Sequence, residues 1–362
     1  MTSDASIAGR PRQTASAYFD EVLARVTEPG HRRGFIERHY RVAGRSIRLR
    51  STEMALVTSL TRAFAHLASG PADKPALTVY LAAGDVVSLP RSSWNSRESA
   101  TPACEQDEQE LIHVRDTRVD GLFRLDGASL SMLDHDSRVG VFWTASPARV
   151  PRYERAAPLR ALLDWWGGDN GFRVVHAGAV ATEHGGALLV GSAGSGKSTA
   201  ALACLGSGLA YAGDDGVAMS RGTPPLVHSL YCTAKLRPDH LRRALPHLAQ
   251  MLDGSEDAHQ GKRMFFLDAH RSAELASEFP LRAVLLPRVT GNDRSVTRPV
   301  SSGSALLALA PSTLFQLPGA RQERLRFMAA ALRGVPAYAL ELGRDLATVA
   351  PAIRAVLDDA TR

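Results

Sequence analysis

The segment Gly191-Ser192-Ala193-Gly194-Ser195-Gly196-Lys197-Ser198 carries the residue types and spacing of a phosphate-binding loop. It matches the pattern GxxxxGK[ST] throughout, and Thr199 extends it. A short apolar run at 187–190 precedes the loop, and small residues suited to a helix follow it. Glycines let successive backbone N–H groups point inward at phosphate oxygens. We predict that these nine residues bind a nucleotide, with Lys197 at the β- and γ-phosphates and the Ser198 hydroxyl on Mg²⁺.

Two adjacent carboxylates, Asp214 and Asp215, follow a short apolar segment that begins soon after the loop. One helix and one strand fit between Lys197 and this pair, so both acids can lie beside the phosphates. There, one acid can hold Mg²⁺ and the other can accept the proton of a hydroxyl group. The alternative is a plain turn, because Asp-Asp-Gly is also turn chemistry. The neighbouring phosphate loop favours the site.

A histidine, His176, begins the strand that we predict before the loop. Residues 183–186 are predicted to form a hairpin turn that joins residues 176–180 to residues 187–190. Such a hairpin differs from the parallel β-α-β unit that leads into the loop of most nucleotide-binding folds. The His176 ring can then face the γ-phosphate, although a single histidine is more often structural.

The order of these features resembles the catalytic domain of HPr kinase/phosphorylase, whose nucleotide site is shared with phosphoenolpyruvate carboxykinases. The shared pattern is His-Ala-x-Ala-Val, a hairpin, GxxGxGKS[T] and Asp-Asp; it is clear over residues 175–220 and weaker through 345. The resemblance implies a serine kinase that uses ATP and Mg²⁺. It also implies Asp214 as the catalytic base, Asp215 as a Mg²⁺ ligand and His176 in the γ-phosphate pocket. The two acids can exchange roles, because adjacent strand residues point to opposite faces.

The segment after the acid pair departs from that family. HPr kinases carry a glycine- and glutamate-rich signature there, associated with phosphorylase activity, whereas residues 227–238 read VHSLYCTAKLRP. This argues against HPr as the substrate and against reverse phosphorolysis. The chain is more similar to divergent HPr-kinase-like kinases, some of which phosphorylate serine in ribosomally made precursor peptides. We therefore expect a peptide or protein acceptor; the alternatives are a small-molecule kinase and a nucleotide-binding regulatory module without phosphotransfer.

Lysine is rare in this chain, which has 43 basic residues. Only Lys74, Lys197, Lys235 and Lys262 are lysines, so each can mark a place where a compact ammonium group is needed. Lys262 and Arg263 precede a predicted strand. They can neutralise the charge of a transferring phosphate or simply flank the strand, and the sequence leaves both open.

The pattern of elements predicts an α/β protein in three parts. These are a flexible N-terminal segment (1–29) with a short helix at 15–26, a small α+β domain (30–150), and an HPr-kinase-like P-loop domain with a mixed sheet (151–362). Within them, a hairpin is expected around Ala43-Gly44, and a helix at 159–166 is expected to end at Gly167-Gly168. Residues 281–362 are expected to be scaffold without chemistry.

Composition limits the classes of partner. No apolar run approaches the length of about 18 residues needed to cross a bilayer, and the opening residues lack a signal-peptide core, so we expect no membrane partner and a cytoplasmic protein. Three widely spaced cysteines disfavour a disulfide framework. The net charge of +6 is concentrated in residues 1–50, without the motifs of nucleic-acid binding, so nucleic acid is not the expected partner. Homo-oligomerisation is left open.

Overall fold

The computed structural model describes residues 13–92, 101–102, 110–125, 128–258, 261–316 and 319–360. These residues form an α/β fold of three sheets with helices on their faces. The strands are β1 (Ile36–Val42), β2 (Arg45–Ser51), β3 (Leu77–Ala83), β4 (Thr101–Pro102), β5 (Glu110–Arg115), β6 (Val119–Arg124), β7 (Ser129–Asp134), β8 (Val139–Thr144), β9 (Phe172–Val175), β10 (Gly178–Thr182), β11 (Gly185–Leu189), β12 (Ala210–Gly213), β13 (Val217–Ser220), β14 (Leu226–Ser229), β15 (Thr233–Leu236), β16 (Glu256–Asp257), β17 (Arg263–Phe266), β18 (Glu278–Val289), β19 (Val296–Val300) and β20 (Ala337–Leu342). The α-helices are α1 (Ala15–Arg33), α2 (Met54–Thr61), α3 (Arg152–Ala156), α4 (Arg160–Asp169), α5 (Lys197–Ala203), α6 (Pro238–Ala244), α7 (Asp268–Arg271), α8 (Ser302–Leu314), α9 (Arg321–Ala331) and α10 (Val349–Asp359).

The first sheet has the order β1-β2-β3-β8-β7-β6-β5-β4. Strand β3 runs parallel to both β2 and β8, and the other pairs are antiparallel, including the predicted hairpin β1–β2. Helix α1 covers one face of this sheet with the buried side chains of Tyr18, Phe19 and Val22. Residues 15–29 therefore belong to a packed helix, and the prediction of a flexible segment is wrong for them. The first twelve residues of that predicted segment lie outside the described part of the chain.

The second sheet positions the phosphate loop. Its main path is β12-β10-β11-β18-β14-β13-β9, and β20 joins β18 to β19. Strand β18 spans 12 residues: its first part pairs antiparallel with β14, and its later part pairs parallel with β11 and β20. Helices α5 and α10 pack on one face and α8 and α9 on the other. The predicted hairpin into the loop is confirmed as β10 and β11. Strand β10 begins at Gly178, however, so the prediction that His176 begins this strand is wrong, and His176 lies in the connection between β9 and β10.

The third sheet, β15-β17-β16, lies against the acid pair. Lys235 on β15 stands opposite Met264 on β17, in antiparallel register. Because side chains alternate along a strand, this register places Lys235 and Arg263 on different faces of the small sheet.

Helix α4 runs through Gly167 and Gly168 to Asp169, so the prediction that these glycines end the helix is wrong. A Cβ atom on Gly167 would stand 2.5 Å from the Phe172 ring, and one on Gly168 would stand 2.7 Å from the Arg173 guanidinium. The glycines thus allow β9 to pack closely against the helix that precedes it.

A single hydrophobic cluster crosses the predicted boundary at residues 150 and 151. It includes Leu49 and Phe64 from the first part of the chain, and Trp166, Tyr231 and Phe266 from the second. The two-domain division stays a prediction, and the continuous cluster shows that the two parts share a core. Within the described residues, no helix is both long and apolar enough to cross a bilayer.

Candidate functional site

The phosphate loop connects β11 to α5 and depends on glycine for its shape. Gly191, Gly194 and Gly196 have φ angles of +147°, +81° and +104°, a region that disfavours other residues. At Gly196, a Cβ atom would also collide with the Leu342 side chain. The loop conformation is therefore incompatible with ordinary side chains at its turning points.

The residues of the loop differ in their surroundings. Ser192 and Ala193 are exposed, as is Gly194 between them and the helix. The Ser195 hydroxyl oxygen is buried without a hydrogen-bond partner among the described residues. Thr199 Oγ1 lies 3.2 Å from His240 Nε2, on the side of α6.

Lys197 folds back over this loop. Its Nζ donates to the carbonyl oxygens of Gly191, at 2.6 Å, and Ser192, at 3.0 Å. Burial lowers the pKa of Lys197, whereas the charges of Asp214 and Asp215 raise it. The ammonium group is therefore within electrostatic reach of both predicted acids.

Lys262 precedes β17 and Arg263 begins it, and the two cations have different surroundings. Lys262 is close enough to Lys197 to lower its pKa, so it belongs to the electrostatic environment of the loop. Arg263 instead binds Ser255 through Nε at 2.9 Å and Asp257 through Nη1 at 2.5 Å. Of this pair, Lys262 is the one whose charge acts on the loop, and Arg263 holds the 255–257 segment in place.

Asp214 is buried: only 4% of the residue is exposed to solvent. Its Oδ2 accepts a hydrogen bond from the Lys235 backbone N–H at 3.0 Å. Its Oδ1 is buried without an aligned donor among the described residues, although the nearby Ser198 hydroxyl lowers the pKa of this carboxyl. Burial and the neighbouring Asp215 charge outweigh that effect and raise the pKa of Asp214. A buried carboxylate oxygen without a donor, next to the loop serine, suits a cation.

Asp215 is surrounded by positive and polar groups and keeps 28% of its side chain exposed. Its Oδ2 accepts from Lys235 Nζ at 2.5 Å and from Arg160 Nη2 at 3.5 Å. Burial raises the pKa of Asp215, but the charges of Lys235 and Arg160, with that of His176 when its ring is protonated, hold it well below its usual value. This carboxylate is ionised at neutral pH.

His176 lies beside this carboxylate, with Nδ1 3.5 Å from Asp215 Oδ1. Burial lowers the pKa of His176 to about 4, so the ring is neutral at pH 7. Nδ1 accepts a hydrogen bond from the Gln316 amide, whose oxygen accepts from Arg160 Nη1 at 2.5 Å. Because arginine can only donate, this chain of bonds fixes the Gln316 amide and puts the His176 proton on Nε2.

The structure thus brings Lys197, Ser198, Asp214, Asp215, His176 and Lys262 together, and adds Arg160, Lys235 and Gln316. The rarity of lysine had marked Lys235, but no local pattern marked Arg160 or Gln316. Two residues of the 281–362 segment, which the sequence predicts to be scaffold without chemistry, contact His176: Gln316 through its side-chain amide, and Thr313, whose hydroxyl accepts from the His176 backbone N–H at 3.0 Å. These contacts join residues about 140 positions apart in the chain.

The comparisons leave the site to be judged on its geometry, since no protein family model and no curated protein matches this chain. Among the described residues, no cluster of three or more His, Cys, Asp or Glu side chains is arranged to hold a metal ion. Mg²⁺ usually takes one or two carboxylates and fills its remaining positions with phosphate oxygens and water. Asp214 with Ser198 fits that smaller donor set.

Proposed function

We propose that this chain is a phosphotransferase that moves the γ-phosphate of ATP to a hydroxyl group of a peptide or protein. The observation that carries the proposal is the convergence of Lys197, Asp214 and Asp215, one cation and two carboxylates in unlike environments, at a complete phosphate loop. A loop that only bound MgATP could use one carboxylate for Mg²⁺, so it is the second, ionised and partly exposed carboxylate that favours transfer. The peptide or protein acceptor rests on the resemblance to HPr-kinase-like kinases.

The contacts favour an exchange of the roles predicted for the two acids. Asp214 is buried beside Ser198, so these two residues would hold Mg²⁺, which neutralises phosphate charge when bound. Asp215 is ionised and more accessible, so it would orient the acceptor hydroxyl. In a loose transition state, orientation of the attacking oxygen matters more than the strength of the base.

The chemical step then balances within the chain and its substrates. The acceptor oxygen forms a bond to the γ-phosphorus and gives its proton to Asp215, while the bond from that phosphorus to the β–γ bridging oxygen breaks. ADP leaves with the electron pair of the broken bond. Lys197 and Lys262 offset the charge that accumulates on the phosphates. His176 lies beside Asp215 and is neutral at pH 7, so it adds no charge there.

Calorimetric titration with MgATP tests the nucleotide site. Lys197→Ala should weaken MgATP binding by about tenfold or more, because it removes the charge-assisted contacts to the phosphates. Lys74→Ala is the matched control, since Lys74 is exposed outside the site, and it should bind as the wild type does. No MgATP binding by the wild type, or equal binding by Lys197→Ala, would contradict the proposal. MgATP binding without any transfer of the γ-phosphate would leave a regulatory module in its place.

A further inference from the structure

A polar cavity of about 400 Å³ lies at the far end of α4, away from the phosphate loop. The side chains that matter for its chemistry are Arg45, Asp134, His135, Arg138, Trp166 and Asp169. They come from β2, from the β7–β8 turn and from the last turns of α4. The mechanism proposed above uses none of them.

The two acids of the cavity are already paired within the protein. Asp134 accepts from Arg118 Nη2 at 2.8 Å and from the Ser137 hydroxyl at 2.7 Å. Asp169 accepts from His135 Nδ1 at 2.5 Å. The hydrogen bond to Asp120 and the one to Asp169 raise the pKa of His135 to about 9 against burial, so the ring is cationic at pH 7. The negative charge of the cavity wall is therefore compensated.

Several donors of the cavity have no such partner. Within the described residues, the Arg138 guanidinium makes no hydrogen bond or ion pair, and Arg45 makes a single long one, 3.4 Å from Nη2 to the Asn170 carbonyl oxygen. Trp166 is only 1% exposed, and its buried indole N–H also lacks a hydrogen-bond acceptor among the described residues. Buried tryptophan N–H groups normally find an acceptor. The cavity thus offers unpaired donors and positive charge.

We propose that this cavity binds a carboxylate group, held by Arg138 and Arg45 with the Trp166 N–H as a further donor. Arginine presents a planar set of donors that matches a carboxylate. For the phosphotransferase proposed above, on which this choice of source rests, the carboxylate is an acidic side chain of the peptide acceptor.

The length of α4 supports that source. The helix begins at Arg160, which contacts Asp215, and ends at Asp169 in the cavity wall. Ten helical residues span about 14 Å, which an extended peptide covers in about four residues. A second cavity, of about 160 Å³, shares His135 and Asp169 with the first and reaches Gly319, three residues after Gln316 of the site. An acidic residue about four positions from the phosphorylated hydroxyl would therefore fit.

The test titrates the full chain with two probes: an acetylated and amidated pentapeptide of four glutamates and a serine, and free glutarate. Calorimetry should show saturable binding of the peptide by the wild type. Arg138→Gln should weaken it by about tenfold, the usual value of a charged hydrogen-bonded contact. Trp166→Phe should weaken it less, because it removes only the N–H group. Arg333→Gln, which changes an exposed arginine outside the cavity, should leave it unchanged.

Each outcome decides one part of the proposal. Equal peptide affinity in wild type and Arg138→Gln, or no saturable binding of either probe, overturns the carboxylate site. Binding of glutarate without binding of the peptide keeps the carboxylate site and overturns the peptide as its source. MgATP is titrated into the same samples. If the wild type binds the peptide but not MgATP, the result contradicts the phosphotransferase proposal and leaves the carboxylate site in place.

Discussion

Lys235 and Asp215 form an ion pair in which Nζ and Oδ2 are 2.5 Å apart. The backbone N–H of the same lysine donates to Asp214 at 3.0 Å, so one residue of β15 orders both carboxylates. The two acids nevertheless differ: their surroundings raise the pKa of Asp214 and lower that of Asp215. Neighbouring carboxylates with opposite shifts are typical of acids that perform different tasks.

Replacement of Lys235 by methionine should shift the acid limb of the pH–rate profile. The ion pair with Lys235 lowers the pKa of Asp215, so its removal moves that pKa up toward the ordinary range. Since Asp215 must be ionised to accept a proton, activity should then be lost at a higher pH as the solution is acidified. The measurement is the pH dependence of phosphate transfer, with Lys74→Met as the control. An unshifted acid limb would contradict the proposed role of Asp215.

Replacement of Asp214 by asparagine should change the requirement for Mg²⁺. The variant removes the negative charge beside Ser198, so half-maximal activity should need about tenfold more Mg²⁺. At saturating Mg²⁺, the rate should recover in part. If the loss is the same at every Mg²⁺ concentration, Asp214 is the base and the originally predicted order of the two acids is correct.

Gln316 is expected to act as a positioning residue. Gln316→Leu removes both the donor to His176 and the acceptor for Arg160, which frees the histidine to change tautomer. We expect kcat to fall by about tenfold, with KM for ATP nearly unchanged, because His176 and Arg160 both contact Asp215, the proposed base, rather than the phosphate loop. Gln322→Leu, at an exposed position of α9, is the matched control. A change in KM for ATP alone would argue against this role.

His135 should make stability depend on pH. Its folded-state pKa, about 9, lies above the unfolded value of about 6.5. The contribution of its bonds to Asp120 and Asp169 is therefore complete below pH of about 6.5 and is lost as the pH rises through about 9. Chemical denaturation across this range should show wild-type stability falling toward that of His135→Gln. The exposed His184→Gln should follow the wild type. If the free energies of unfolding of the wild type and His135→Gln differ by the same amount at every pH, the result would contradict the raised pKa of His135.

The features read correctly from the sequence are those that a short stretch of chain determines. The hairpin before the loop and the hairpin around Ala43-Gly44 need only their own residues. The positions of Arg160 and Gln316 depend on contacts between distant parts of the chain, and no spacing near either residue announces them. Their role follows only from the packing of α4 and α8 against β9 and β18.

The errors have the same origin. Gly167-Gly168 is a strong stop signal when the helix is considered alone, but the approach of Phe172 and Arg173 from β9 requires those glycines inside the helix. Adjacency in sequence suggests one role for Lys262 and Arg263. The register of Arg263 on β17 directs it to Ser255 and Asp257 instead.

The central claim is tested most directly by a single-turnover experiment, with protein in excess over MgATP. Loss of the γ-phosphate from MgATP is measured by rapid quench. The wild type should release labelled phosphate to a hydroxyl acceptor or to water well above the rate without protein. Asp215→Asn should bind MgATP normally and react about 10²–10⁴-fold more slowly, the usual contribution of a general base. A wild-type rate equal to the protein-free rate, or equal rates in wild type and Asp215→Asn, would contradict the proposed phosphotransferase.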